Sequence, residues 1–254
     1  IPTVYLPDST GVYKEYPSQG RDDLFRELLM IGKKYPSYSS FGKATIHDLF
    51  TQDELKGALI YHADNLQSCY IENMGNGKFT MKPLPVQAQF APVFGMTTGD
   101  FNNDGNLDVL LNGNESGIEP QIGNYDAFNG LLLEGDGKGD FKPVSLKHSG
   151  IYIPGDGKAM VKVAGADGSE LMVASQNQGP LKIFRDREKG AIVPLHPNDA
   201  YAILHLDNGK TRKQEFYYGS SFLSASGRFM RLSRHVTSVD VYDFMGNKRS
   251  IPVK

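Results

Sequence analysis

Residues 99–113 place three acidic side chains in one short turn that runs straight into an apolar segment. The stretch reads Gly-Asp-Phe-Asn-Asn-Asp-Gly-Asn-Leu-Asp-Val-Leu-Leu-Asn-Gly, with no Lys or Arg between its first and last Asp. A hard cation with oxygen ligands, usually Ca²⁺, removes the repulsion among such carboxylates, and Gly105 allows the sharp turn. We therefore predict a bound Ca²⁺, whose ligands are the side chains of Asp100, Asn102, Asp104 and Asp108 and the carbonyl of Asn106.

An EF-hand loop begins with the same residue types, but it needs a bidentate Glu at its twelfth position. Counted from Asp100, that position is Leu111, which cannot bind a metal. An Asn-Gly turn at 112–113 also closes the apolar run too early for an exit helix. The remaining alternative is an acidic surface turn without a metal, because Asp, Asn and Gly are ordinary turn formers.

Two pairs of segments repeat at nearly constant spacing, which indicates repeated hairpins. Gly75-Asn76-Gly77-Lys78 recurs 60 residues later (135 − 75) as Gly135-Asp136-Gly137-Lys138. Asp104-Gly105 recurs 63 residues later (167 − 104) as Asp167-Gly168, again before an apolar run. The second copy of the acidic turn has lost its ligands, so we predict one ion site; the replacing residues are Val163, Gly165 and Leu171.

The acidic turn and its following strand, from Gly99 onward, resemble the calcium loop of FG-GAP/VCBS repeats, which are the blades of integrin-type β-propellers. The resemblance implies that the loop joins two strands of a blade and that the ion is structural rather than catalytic.

Residues 190–254 resemble the ASPIC/UnbV module, which often follows VCBS repeats in bacterial secreted proteins. The matching elements are Arg212 with Gln214, the stretch from Gly219 to Ser224, and the closing Val239-Asp-Val strand with Gly246. Residues 227–235 depart from that pattern, because Gly-Arg-Phe-Met-Arg-Leu-Ser-Arg-His replaces the family's Phe-Gly-Leu-Gly.

Hydrophobic periodicity predicts a mainly β fold with three regions: an irregular and helical lead-in over 1–57, a series of strands over 58–189 and a small β module over 190–254. The FG-GAP/VCBS resemblance implies that the strands of the middle region form propeller-like blades. In the lead-in, residues 1–20 are expected to be irregular. Helices are predicted within 21–34 and 40–50, and a capping box at Thr51-Gln-Asp-Glu54 predicts another from about 52. Strands are predicted at 58–63, 68–73, 79–84, 92–98, 107–112, 130–134, 141–146, 159–164, 170–175 and 181–185.

The longer loop at 114–129 is the segment that we expect to meet a ligand, because long loops are often functional. Its aromatic and acidic side chains suit a sugar or a protein surface, although a loop of this length is equally explained as a tolerated insertion. The candidate ligand-binding residues are Tyr125, Asp126 and Phe128, with Glu119 nearby.

Charge and motifs exclude several classes of function. The formal net charge of −2 gives no electrostatic case for nucleic acid, and no apolar run is long enough for a transmembrane helix. The six histidines form no close-spaced metal pair, and neither a nucleophile elbow nor a phosphate-binding loop is present.

We therefore expect no catalytic residues and no membrane insertion in this chain. The predicted function is a non-catalytic, calcium-stabilised extracellular module that binds a glycan or a protein. The resemblance implies a secreted or cell-surface location in a bacterium. The alternative function is the C-terminal accessory part of a larger enzyme that acts on polysaccharide, with its catalytic residues upstream.

Overall fold

The computed structural model describes residues 1–118, 123–186 and 190–253. Strands make up 43% of the chain and helices 13%, so the fold is mainly β, as predicted. The chain divides into two compact units, residues 1–64 and residues 65–254. Across the described ranges, the sheets are small and none is closed, and no helix has the length and apolarity to cross a bilayer.

The first unit combines one β-hairpin with short helices around a small apolar core. Its elements are β1 (Thr3–Pro7), β2 (Tyr13–Pro17), α1 (Arg21–Glu27), α2 (Leu29–Lys34), α3 (Tyr38–Phe41), α4 (Ile46–Leu49) and α5 (Gln52–Leu55). Leu24, Ile31 and Leu49 are fully buried in its core. Thr51 and Glu54 form the predicted capping box, because each side chain accepts the other residue's backbone N–H. A break at Leu28 (φ −130°) divides the 21–34 segment into two helices.

Two segments of the first unit differ from the sequence predictions. Residues 1–20 were expected to be irregular, yet they contain the β1–β2 hairpin. Pro7 and Pro17 do not prevent it, because each lies at the end of a strand, where a proline is tolerated. Residues 58–63 were predicted as a strand and form none. Their apolar side chains are 74–87% exposed at Leu59, Ile60 and Tyr61, so β propensity without a partner strand did not produce a strand.

The second unit contains three antiparallel arrangements between residues 69 and 185. The strands are β3 (Cys69–Gly75), β4 (Lys78–Pro83), β5 (Val93–Gly99), β6 (Asp108–Gly113), β7 (Leu131–Gly135), β8 (Phe141–Val144), β9 (Gly157–Ala164), β10 (Glu170–Gln176) and β11 (Gly179–Arg185). β3 and β4 form a hairpin, β5 to β8 form a four-stranded meander, and β9 to β11 form a three-stranded meander. A 3₁₀ turn (Val86–Gln89) precedes β5, and a short helix, α6 (Leu146–Ser149), follows β8.

Strand β6 is buried on both faces, which fixes the end of the acidic loop that leads into it. Leu110 belongs to the core shared with Met160 and Ala174 of the β9–β10 sheet. Leu111 faces the other way, into a cluster that includes Leu131 and Phe128. Burial of each such side chain contributes about 2 kcal/mol, so Asp108 begins a firmly anchored strand.

The remaining strands form a four-stranded sheet, ordered β14-β13-β16-β17, and a separate β12–β15 pair. These strands are β12 (Ala191–Pro194), β13 (Asp199–Leu206), β14 (Thr211–Glu215), β15 (Phe229–Leu232), β16 (Val236–Asp243) and β17 (Lys248–Pro252). An Asn208-Gly209 turn joins β13 to β14, with Gly209 at φ +77°. Side chains from both sheets, including Leu204, Met230 and Val239, form one core.

Candidate metal centre

The acidic loop connects β5 to β6, and its two ends lie side by side because Gly99 pairs with Asp108 in the antiparallel register. Positive φ angles at Asn103 (55°) and Gly105 (89°) fold the loop tightly. Within the loop, Asp100 Oδ2 accepts the N–H of Gly105 at 3.2 Å. The fold therefore keeps the five predicted ligands together in one compact turn.

Asp108 lies at the buried base of this turn. Its side chain accepts two backbone N–H groups, from Phe101 at 2.9 Å and from Gly135 at 3.0 Å, and the residue is fully buried. Burial raises the pKa of Asp108 to about 6, and the nearby charge of Asp104 raises it further, against the lowering effect of the two N–H groups. A cation beside the loop would favour the ionised form of this carboxyl.

Asp100 supplies the clearest acceptor for a cation. The residue is 4% exposed, and among the described residues its Oδ1 atom, which is buried, has no hydrogen-bond partner. An unsatisfied buried carboxylate oxygen costs at least about 1–3 kcal/mol. The predicted ligands are all oxygen atoms, which hard divalent cations prefer. The residues present therefore fit a Ca²⁺ site on donor chemistry and on the unpartnered oxygen of Asp100.

The other three predicted ligands lie nearer the surface. Asn102 and Asp104 are exposed, and Asn106 is half-buried. The Asp104 carboxylate accepts the backbone N–H of Asn106 at 2.7 Å and the Asn102 side-chain amide at 3.3 Å. In the described parts of the chain, no three Asp, Glu, His or Cys side chains are grouped as a metal site. This finding includes Asp100, Asp104 and Asp108, so the loop places these three residues in one turn without bringing their carboxylates together as a ready-made site.

Basic side chains from the C-terminal strands hold the loop through its backbone carbonyls. Arg212 Nη1 donates to Gly105 O at 3.1 Å, and Arg231 Nη1 donates to Asp100 O at 3.1 Å. These contacts join residues more than 100 positions apart, and they leave the carboxylate oxygens to other partners. Residues 227–235 thus provide contacts to the loop, although the sequence marked them only as a departure from the ASPIC/UnbV pattern.

His235 is a second contact from the same segment. Its Nε2 lies 2.8 Å from Asn103 O, and its Nδ1 lies 2.7 Å from the Asp207 carboxylate. A carbonyl oxygen can only accept, and so can an ionised carboxylate, so both contacts favour the imidazolium form, in which each ring nitrogen donates. Asp207 first, and then the Asn103 carbonyl, raises the pKa of His235. The signal in the sequence was the run of basic residues Arg228, Arg231, Arg234 and His235.

The longer loop keeps only part of its predicted ligand-binding set at the surface. Tyr125 is 47% exposed and its backbone pairs with Glu115, while Asp126 is exposed. Phe128 is only 2% exposed and packs into the core beside Leu111, so its ring has no free face for a ligand, which corrects the prediction for this residue. Glu119 lies outside the described residues.

No protein-family model matches this chain, and no curated protein matches it.

Proposed function

We propose that the chain is a non-catalytic, calcium-binding module of a secreted or cell-surface bacterial protein, and that it presents loops to a glycan or protein partner. The observation that carries the calcium assignment is Asp100, whose buried Oδ1 has no partner among the described residues. It lies at the base of a loop whose other end is the fully buried Asp108.

Bound Ca²⁺ would supply the positive charge that allows three neighbouring carboxylates to be ionised together. Asp100 and Asp108 would hold the ion from the base, and Asn102, Asp104 and the Asn106 carbonyl would hold it from the rim. Mg²⁺ fits less well, because it demands a tighter octahedron and gives up its waters reluctantly.

The arrangement of the sheets supports a propeller-like organisation of the FG-GAP/VCBS type. The four-stranded β5–β8 meander and the three-stranded β9–β11 meander share a core through Leu110 and Met160. The two sequence repeats fall on matching hairpins, β3–β4 with β7–β8 and β5–β6 with β9–β10. Four-stranded blades packed face to face are the unit of a β-propeller, and this chain would contribute about two.

The proposed ligand contact is the part of the 114–129 loop that contains Tyr125 and Asp126. The start of the loop is anchored, because Glu115 pairs with Lys158 at 2.9 Å. A half-exposed aromatic ring beside a carboxylate suits stacking and hydrogen bonding to a sugar or a protein side chain.

Calorimetry and melting curves with CaCl₂ or chelator test the proposal. Ca²⁺ should raise the melting temperature of the wild type. At a hundredfold excess over Kd, binding adds about 2.7 kcal/mol to the free energy of unfolding. Asp104→Ala should abolish the rise. Asp167→Ala is the matched control, because it changes the equivalent turn that lacks the other ligands. Equal melting temperatures in Ca²⁺ and chelator, with no binding heat, would overturn the calcium assignment.

A further inference from the structure

A cavity of about 350 Å³ lies between β5 with the base of the acidic loop and the strands β14 and β15. This volume is within the range of small-molecule sites, about 300–1,000 Å³. Apart from Asp100, none of its lining residues belongs to the proposed calcium set or to the 114–129 loop. The cavity is therefore a separate candidate site.

Arg212 is one of two arginines in this cavity that have a buried nitrogen without a hydrogen-bond partner among the described residues. Its Nη1 atom donates to Gly105 O, while its buried Nε atom, on the side-on edge of the guanidinium, has no hydrogen-bond partner in the described ranges. No described carboxylate forms a salt bridge with Arg212, and burial lowers the pKa of its guanidinium, an effect that the charge of Asp100 opposes. A guanidinium edge of this kind binds a carboxylate in bidentate form.

The other charged groups around the cavity largely neutralise one another. Lys162 pairs with Glu170 at 3.4 Å, and Lys213 pairs with Glu215 at 2.6 Å. Arg231 pairs with Asp186. Asp100 also lines the cavity and opposes the charge of Arg212, but with Arg228 counted the wall keeps a small excess of positive charge, which favours an anionic ligand.

Arg228 supplies this excess. Its Nη2 atom donates to the carbonyls of His196, Pro197 and Asp199. Its Nε and Nη1 atoms have no hydrogen-bond partner among the described residues, although the guanidinium lies 4.3 Å from the ring centroid of Tyr218.

Uncharged polar groups and an aromatic ring complete the lining. Ser233 is 4% exposed, and its Oγ atom has no partner within the described residues. Gln214 and Ser220 add an amide and a hydroxyl, and Tyr217, which is 67% exposed, adds an aromatic face. Hydroxyl and amide groups beside an aromatic ring suit a ligand that carries several hydroxyls.

We propose that this cavity binds a small polyhydroxylated carboxylate, the chemistry of a uronic-acid unit. The side-on edge of Arg212 holds the carboxylate, and Ser233 and Gln214 bond to hydroxyls. This site goes beyond the proposed function, because it shares only Asp100 with the calcium set and no residue with the 114–129 loop.

The test titrates the full chain with sodium glucuronate and galacturonate by calorimetry and by NMR. Glucose and galactose serve as neutral counterparts, and acetate serves as a carboxylate without hydroxyls. Both uronates should bind saturably, and the other three should not. Equal binding of the neutral sugars, or no saturable binding of either uronate, would overturn the proposal. Gluconate and a uronate-terminated disaccharide separate a free hydroxy acid from a glycan end as the source of the ligand.

Variants locate the binding. Arg212→Lys keeps the positive charge but loses the planar guanidinium that can donate two parallel hydrogen bonds. It should weaken uronate binding about tenfold or more. Tyr217→Ala changes an exposed ring and should also weaken binding, which keeps the test valid if the Arg212 variant fails to fold. Arg185→Gln is the control, because this exposed arginine pairs with Asp167 away from the cavity lining. Uronate binding unchanged in both cavity variants would refute the assigned site.

The two proposals fail in distinguishable ways. Loss of the Ca²⁺-dependent rise in melting temperature, with uronate binding retained in chelator, would remove the calcium assignment and leave the cavity. A Ca²⁺-dependent rise in melting temperature without uronate binding would leave the calcium assignment and remove the cavity site.

Discussion

Asp108 and Gly135 are joined by a hydrogen bond in which the Gly135 N–H donates to Asp108 Oδ1 at 3.0 Å. The bond ties the end of the acidic loop to the last residue of β7. The approach requires glycine, because a Cβ on Gly135 would lie 2.2 Å from the carbonyl oxygen of Leu107. The geometry of the loop therefore depends on a residue outside it.

Gly135→Ala should lower both the stability and the Ca²⁺ affinity of the chain, because the backbone must shift to relieve the clash and the bond to Asp108 then lengthens. We expect a loss of about 1–3 kcal/mol, the cost of a buried acceptor left unsatisfied. Calorimetric unfolding with and without Ca²⁺ measures both effects. Gly219→Ala is the control, because its nearest neighbour would be 3.8 Å away. A Gly135 variant that melts like the control would contradict this reasoning.

The raised pKa of Asp108 predicts a specific pH dependence in chelator. Its folded-state value of about 6 exceeds the ordinary 3.8, so its contribution to stability is complete below about pH 4 and is lost as pH rises through 6. The difference of about 2 pKa units corresponds to about 3 kcal/mol. Saturating Ca²⁺ should offset the loss, because the ion binds the ionised carboxylate.

Asp108→Asn isolates this contribution from the other titrating groups. The asparagine can accept only one of the two N–H groups that Asp108 accepts, so this variant should be less stable at acid pH. The stability gap between wild type and variant should then narrow as pH rises from 4 to 7 in chelator. Chemical denaturation across this pH range measures the gap, and a constant gap would exclude Asp108 as the titrating group.

The contact of His235 with the loop should weaken as pH rises. Asp207 and the Asn103 carbonyl both favour the imidazolium, so the stabilising contribution is complete below the ordinary pKa of 6.5 and is lost as pH rises through the raised value. His235→Ala should therefore lower the melting temperature at pH 6 more than at pH 9. The exposed His62 provides a control, as His62→Ala. An effect of His235→Ala that does not change with pH would show that the ring acts only by packing.

The sequence was sufficient for features that depend on neighbouring residues. β5 and β6 lie within one or two residues of their predicted ranges, because short apolar runs predict strands and the acidic turn separates the two. The helix cap at Thr51 and the hairpin at Asn208-Gly209 likewise follow from short-range chemistry.

Features that depend on distant partners could not be predicted in this way. Arg231 meets the carbonyl of Asp100 across 131 residues, and no local pattern encodes that approach. Phe128 was predicted to face a ligand because it is an aromatic residue in a loop, yet its ring is buried in the core beside Leu111. Residues 58–63 had strand propensity but no partner strand, and tertiary context decided their conformation.

The proposed ligand contact at Tyr125 can be tested separately from the cavity. A glycan array probed with the purified chain should show binding that Tyr125→Ala abolishes and Asp126→Asn weakens, because the first change removes the stacking surface and the second removes a hydrogen-bonding charge. Tyr152→Ala, at a ring that is also half-exposed, is the matched control. Binding that survives Tyr125→Ala but is lost in Arg212→Lys would assign the glycan to the cavity instead. A hydrolase and lyase substrate panel on the same preparation tests the non-enzyme assignment, and turnover that a substitution within 1–254 abolishes would refute it.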